Sequence, residues 1–224
     1  MSMSTNARPS IGVDAPEMRK YEKLYKVLLV GDMGVGKSTL LESFAEKEFN
    51  PHKIPSIRTD YKLRSLNVQG NPVTLHIWDA AGHDSYRTLT SQFYRDAVGA
   101  LIVYDITKRE SYNNLDQWFQ VLDRNCGKDL PKVLIGNTND LDKYNRDVNA
   151  EEGAEYSRNL GKLKPPFLEI SAMNEQDAEK AFVMLVNEIL SSPLYSIQTV
   201  VRDSIILKKN DKPIHDPKES GCCK

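Results

Sequence analysis

The chain has 224 residues, of which 40% are apolar and 27% charged, a composition that supports one domain with tails better than two full domains. Thirty basic against thirty-one acidic side chains leave a net charge of −1, which argues against a partner that is a nucleic-acid polymer. The longest apolar run, Ala97 to Tyr104, is eight residues, far short of the ~20 a spanning helix needs. No apolar leader opens the sequence, and Ser2 stands where N-myristoylation requires glycine. Three cysteines, two of them adjacent near the end, make no disulfide framework. A soluble, intracellular, reducing setting is expected, unless the tail is modified.

Residues 1–22 carry Ser, Pro and mixed charge without an apolar period and are expected to be a flexible extension. Val27-Leu28-Leu29-Val30 reads as a strand buried on both faces. A Gly-rich turn follows, then a helix from Lys37 to Lys47 with Leu40, Leu41 and Phe44 on one side. Tyr61–Val68 and Val73–Trp78 read as strands around Gly70-Asn71-Pro72, a hairpin signal. Ala100–Tyr104 is another buried strand, followed by a helix with Leu115, Trp118, Phe119 and Leu122 on one face. Val133-Leu134-Ile135 is the fifth strand, Glu151–Leu160 a polar helix, and Phe167–Ile170 the sixth strand. The last helix has the clearest stripe, Ala178, Ala181, Phe182, Leu185, Val186 and Ile189, and Ser191-Ser192-Pro193 ends it. This order predicts an α/β fold, a six-stranded, mostly parallel sheet with helices on both faces and an antiparallel edge. Its boundaries are taken as 23–192, with 193–224 a flexible, variable tail.

Gly31-Asp32-Met33-Gly34-Val35-Gly36-Lys37-Ser38 fits G-x-x-x-x-G-K-[ST] between a strand and a helix. Such a loop aims successive N–H groups at a phosphate, and the helix N-terminus adds its positive end. The bland alternative is a Gly-rich turn that only caps a helix. In the phosphate reading Met33, Gly34, Val35, Gly36 and Thr39 line the site, Lys37 contacts the β/γ oxygens and Ser38 holds Mg²⁺. Ser56 follows Ser38 by eighteen residues, and Asp79 by forty-one, in Trp78-Asp79-Ala80-Ala81-Gly82-His83-Asp84. Asp79 would hold the Mg²⁺ shell, and the Gly82 N–H would bond a γ-phosphate. Asn137-Thr138-Asn139-Asp140 lies beyond the fifth strand and Ser171-Ala172-Met173 beyond the sixth. The Asp140 carboxylate can accept guanine N1–H and N2–H, and the Ala172 N–H can donate to O6.

With this motif set the chain resembles the Ras superfamily of small GTPases over residues 24–192, P-loop NTPases with a small G domain, and within it the Rab family. Tyr86-Arg87-Thr88-Leu89-Thr90, Phe93-Tyr94-Arg95-Asp96-Ala97 and Tyr104-Asp105-Ile106-Thr107 carry the finer likeness, together with Ser111-Tyr112 and Leu115 through Trp118. The resemblance implies a monomeric GDP/GTP switch with Mg²⁺ as cofactor that hydrolyses GTP to GDP and phosphate. It also implies an exchange factor, a GTPase-activating protein, and effectors that govern vesicle and membrane trafficking. Phe49 would stack on the guanine edge. Tyr61, Trp78 and Phe93 look like the aromatic triad that Rab effectors read, although plain packing explains each ring equally well.

Several positions depart from the family pattern. Ser56 replaces the usual Thr, Arg58 the usual Gly and Tyr61 the usual Phe, so an unusual effector surface is expected. Met33 stands where a partner's arginine finger approaches, an interaction that contributes roughly 10³–10⁵-fold in rate. His83 replaces the glutamine that orients the attacking water, so slow intrinsic hydrolysis is expected. Thr138 replaces a lysine whose stem covers the base and ties to the phosphate loop, so weaker nucleotide binding is expected. The competing reading is a degenerate, non-hydrolysing guanine-nucleotide-binding adaptor. A P-loop kinase or ATPase is disfavoured by Asp140 and Ala172.

The chain ends Gly221-Cys222-Cys223-Lys224, which resembles the paired-cysteine ends that take two geranylgeranyl chains; metal binding or an incidental thiol pair is the alternative. Two lipids anchor stably where one does not. The resemblance implies Rab escort and GDP-dissociation-inhibitor proteins as partners, with cycling between cytosol and the cytoplasmic face of an endomembrane. Ile205-Ile206-Leu207 would meet the escort, or collapse as a loosely docked tail segment. His52, His76, His83 and His215 have no metal-ligand spacing, Cys126 reads as structural, and Glu151-Glu152 as a solvated helix start.

Overall fold

The computed structural model describes residues 23–45, 61–80, 91–138, 145–160 and 164–193. The strands among them are β1 (Lys23–Val30), β2 (Tyr61–Val68), β3 (Asn71–Asp79), β4 (Gly99–Asp105), β5 (Lys132–Thr138) and β6 (Phe167–Ser171). The helices are α1 (Lys37–Ala45), α2 (Ser91–Tyr94), α3 (Arg109–Asn113), α4 (Leu115–Cys126), α5 (Ala150–Asn159) and α6 (Glu175–Ser191). The six strands form one sheet in the order β2-β3-β1-β4-β5-β6. Only β2 and β3 pair antiparallel; β1 lies parallel to both β3 and β4, and β5 and β6 continue that sense. The fold is therefore α/β, as the alternation predicts.

Period-two alternation in β1 builds the two cores. Tyr25, Val27 and Leu29 enter one cluster with Leu40 and Phe44 of α1 and Phe182, Leu185 and Ile189 of α6. Leu28 and Val30 point the other way, into a cluster with Ile102, Tyr104, Trp118 and Leu122. Both faces of the central strands are thus sealed, and each fully buried large apolar side chain contributes roughly 1.5–3 kcal/mol. Phe44 stacks on Phe182 with ring centroids 3.9 Å apart, and the Arg64 guanidinium lies 4.2 Å over the Phe44 ring. No helix among the described residues is long and apolar enough to cross a membrane.

Some elements differ from expectation. The hairpin turn is Gln69-Gly70, with φ of 52° and 78°, a pair of positive values suited to a two-residue turn between twisted strands. Asn71 and Pro72 belong to β3, with Pro72 at the start of the strand, opposite Asn67 and ahead of the pairing with β1 that begins at Val73, a position that tolerates a missing N–H. Strand β5 runs through Asn137 and Thr138, and β6 includes Ser171, because Asn137 pairs with Ile170 and Thr138 with Ser171. Neither α2 nor α3 is expected from the sequence. Glu152 is more than a solvated helix start: it accepts the Asn149 N–H at 3.0 Å and pairs with both guanidinium nitrogens of Arg109, at 2.6 and 3.1 Å. The expected extension 1–22, all of the expected tail 193–224 but Pro193, and helix residues Glu46 and Lys47 lie outside the described residues.

Candidate functional site

Strand β1 delivers its C-terminal end to the point where the sheet order turns, flanked by β3 and β4, the place where open α/β sheets bind ligands. The loop from Gly31 to Gly36 leaves that end and enters α1. Its carbonyls are fastened by the Lys37 ammonium and by side chains from two distant elements. Lys37 Nζ donates to Gly31 O at 2.8 Å and Asp32 O at 2.6 Å. Lys108 Nζ donates to Gly34 O at 2.9 Å and Asn137 Nδ2 to Val35 O at 2.8 Å. A trans peptide aims its N–H opposite to its C=O, so each fastened carbonyl turns the next N–H to the other side. Among the described residues, the N–H groups of Met33, Gly34, Val35 and Gly36 have no acceptor. Four consecutive open N–H groups form a concavity suited to an anion.

Gly36 makes this geometry possible. Its φ is +96°, and a Cβ there would collide with Asn137 Nδ2, so a side chain would be excluded by both backbone and space.

Lys37 is 4% exposed. Burial pushes its ammonium pKa down, against the opposing pull of Asp79 and then Asp32. It makes two of its three possible hydrogen bonds to the loop, which leaves one N–H for an anionic ligand. Ser38 Oγ donates to Asp79 Oδ2 at 2.6 Å. This hydroxyl–carboxylate pair at the ends of α1 and β3 supplies hard oxygens that fit Mg²⁺. Among the described residues no three His, Cys, Asp or Glu side chains gather into a metal cluster.

The base-side residues are joined, though not as expected. Asn137 Oδ1 accepts the Ala172 N–H at 2.9 Å, so that N–H, expected to reach guanine O6, is engaged by the protein itself. The amide of Asn137 bridges the phosphate loop to the end of β6. The N–H of Met173, one residue on, has no acceptor among the described residues. Thr138 and Ser171 are neighbours across β5 and β6. Thr39 lies in the first turn of α1, half-buried, and Met33 is 62% exposed at the loop's rim. Phe49, Ser56, Gly82, His83 and Asp140 lie outside the described residues, as do Cys222 and Cys223.

Sequence reasoning missed the supports of the loop. Asp32 accepts Trp118 Nε1–H at 2.8 Å and Asn114 Nδ2–H at 2.7 Å, tethering the loop to the start of α4. Asp32 fills a free position of the motif, so no local signal singles it out.

The three rings of the proposed triad are contiguous. Tyr61 and Trp78 stack with centroids 5.9 Å apart, and Trp78 meets Phe93 edge-on at 6.2 Å. Their exposure differs: Tyr61 is 59% exposed and Trp78 half-buried, while Phe93 is only 3% exposed. Phe93 therefore props Trp78 rather than meeting a partner directly, because it packs against Tyr94 in the core below. Lys26 Nζ lies 4.1 Å over the Trp78 ring and donates to Gln92 O and Arg95 O. His76, edge-on to Tyr61 at 4.9 Å, has its pKa lowered by burial and by Lys26. It is a neutral partner in this aromatic face.

Two comparisons bear on this arrangement. The Ras family model matches residues 26–191. Ras-related protein RIC1 of Oryza sativa subsp. japonica is 38% identical over 204 residues, 91% of this chain and 98% of its own length. Members of that family bind GTP or GDP with Mg²⁺, which the open N–H row before Lys37 and the Ser38–Asp79 oxygens fit. With the match spanning every element from β1 to α6, the chain belongs to the Ras family of small GTPases.

Proposed function

We propose that this chain is a Rab-type switch that binds GTP, hydrolyses it slowly and recruits effectors to a membrane in vesicle trafficking. One observation carries the nucleotide reading: four consecutive N–H groups without an acceptor among the described residues lead into a buried lysine, beside a hydroxyl–carboxylate pair. Lys37 and the Met33–Ser38 backbone would bind phosphates, and Ser38 with Ser56 would ligate Mg²⁺ while Asp79 holds its shell. Mg²⁺ would supply charge compensation on the phosphate oxygens. Gly82 would donate toward the γ-phosphate, and His83 would orient water.

On the base side Phe49 would stack, Asp140 would accept from guanine, and the open Met173 N–H would face O6 in place of the engaged Ala172 N–H. Asn137 acts by holding Val35 and Ala172 in place. Exchange and activating proteins would act on the loops around this site, and effectors would read Tyr61 and Trp78 with Phe93 behind them. Prenylation at Cys222 and Cys223, with escort and GDP-dissociation-inhibitor partners, would place the chain on the cytoplasmic face of an endomembrane as a monomer that cycles with cytosol. The extension 1–22 and tail 193–224 would flank the GTPase domain.

The test is chromatography of the nucleotide released when purified, Mg²⁺-containing protein is denatured. About one guanine nucleotide per chain is expected, mostly GTP if His83 and Met33 slow turnover. An empty protein would refute a stable switch and leave the degenerate-binder reading. Adenine nucleotide instead would overturn guanine selectivity.

A further inference from the structure

We infer that Lys108 is a positioning residue of the nucleotide site, pinning the phosphate loop at Gly34 and so setting how long a nucleoside diphosphate stays bound. This inference rests on the guanine-nucleotide reading above. Lys108 leaves the connection between β4 and α3, 74 positions from Gly34 in sequence, and its ammonium donates to Gly34 O at 2.9 Å. Asp105 Oδ2 lies 3.3 Å from the same ammonium. Asp105 is itself fixed, because its Oδ1 accepts from the Thr107 N–H at 2.9 Å and the Thr107 hydroxyl at 2.7 Å. The cation is thus held from behind and aimed at one loop carbonyl.

That carbonyl belongs to the peptide whose N–H is Val35's, so turning Gly34 O onto Lys108 turns the Val35 N–H the opposite way. Asn137 does the same for the next peptide, through Val35 O and the Gly36 N–H. The two ties differ in setting. Asn137 acts on Val35, whose side chain is seated in the core, whereas Met33 and Gly34 are exposed. Among the described residues, Lys108 supplies the one hydrogen bond that restrains the exposed Gly34 carbonyl. The ammonium also brings a positive charge to the loop, a place where Thr138 brings none.

The prediction separates phosphate from base. Lys108→Met keeps the aliphatic stem and removes the charge and donor. In the full-length chain, displacement of a fluorescent GDP should show release about three- to tenfold faster in this variant, the range expected for one partly exposed charge-assisted hydrogen bond. Affinity for GMP, which has no β-phosphate, should change less than about twofold. Lys108→Arg should restore GDP retention, since guanidinium can reach the same carbonyl. GDP release from Lys108→Met at the parent rate overturns the inference alone, and so does an equal loss for GDP and GMP, which marks a general structural defect. A parent chain that retains no guanine nucleotide overturns the inference together with the reading beneath it.

Discussion

Truncating Asn137 tests whether the phosphate loop and the end of β6 are one unit. Asn137→Ala removes two hydrogen bonds, to Val35 O at 2.8 Å and from the Ala172 N–H at 2.9 Å. Val35 and Ala172 are only 1% and 2% exposed, so water replaces neither partner without rearrangement. A buried backbone group left unpaired costs about 1–3 kcal/mol, which puts the two together at about 2–4 kcal/mol once partial relaxation is allowed. For a chain of this size each kcal/mol lowers Tm by roughly 2–4 °C, so a drop of roughly 5–15 °C is expected. The assay is thermal unfolding followed by circular dichroism, with GDP and Mg²⁺ saturating for parent and variant alike, since ligand occupancy itself shifts Tm. Asn137→Asp should also destabilise, because it keeps the acceptor for Ala172 but sets a carboxylate oxygen against Val35 O. An Asn137→Ala chain that melts within 1 °C of the parent would refute the claim that this amide holds the loop.

Gly36→Ala should lose nucleotide retention and cost at least about 1–3 kcal/mol, from its left-handed φ of +96°. Because the added Cβ would meet Asn137 Nδ2, the cost should fall when Asn137→Ala is made as well; strictly additive losses in that cycle would contradict the collision. Glu152 has its pKa lowered to about 2, first by Arg109 and then by the Asn149 N–H. Its depressed native value means the contribution is complete above the unfolded pKa of about 4.3 and is lost as pH falls toward 2. Urea midpoints measured from pH 6 to pH 3 should therefore fall more steeply for the parent than for Glu152→Gln, and parallel curves would dismiss the pair as a stabilising element. Cys126 has its thiol pushed up to about 11 by burial, so at pH 8 its thiolate population is roughly two orders of magnitude below that of an unfolded thiol. In a Cys222→Ser, Cys223→Ser background, Ellman's reagent should react slowly with the native chain and rapidly in urea; equal rates would refute that environment.

The parts of the fold read most plainly were those whose physics is local. Every residue of β4 from Gly99 to Tyr104 is buried, and a continuous apolar run is what a strand covered on both sides requires. The stripe of α6 was equally plain, since all six of its expected core residues are buried. Helix α3 was not readable: it has five residues, of which only Ser111 is buried, so no apolar period announces it. The position of the hairpin turn is not legible because Pro72 reads as a breaker, whereas Gln69 adopts the positive φ without a compositional cue. At the site, the Gly-rich loop was legible because its chemistry lies in eight consecutive residues. The engagement of Ala172, the burial of Phe93 and the reach of Lys108 depend on side chains brought together from far apart in sequence. No window along the chain contains them.

The loop's moorings lie on opposite sides of the sheet. Val35 is seated in the core shared by α1 and α6. Three residues earlier, Asp32 is gripped by Trp118, which belongs to the core beneath α4. A phosphate held by the intervening N–H groups therefore clasps the two layers that lie on either side of the strands. Loosening either layer frees one corner of the clasp, so substitutions deep beneath α4, far from any bound nucleotide, become kinetic mutations of its release. Residence time on this chain is a gauge of how well both halves of its interior are packed.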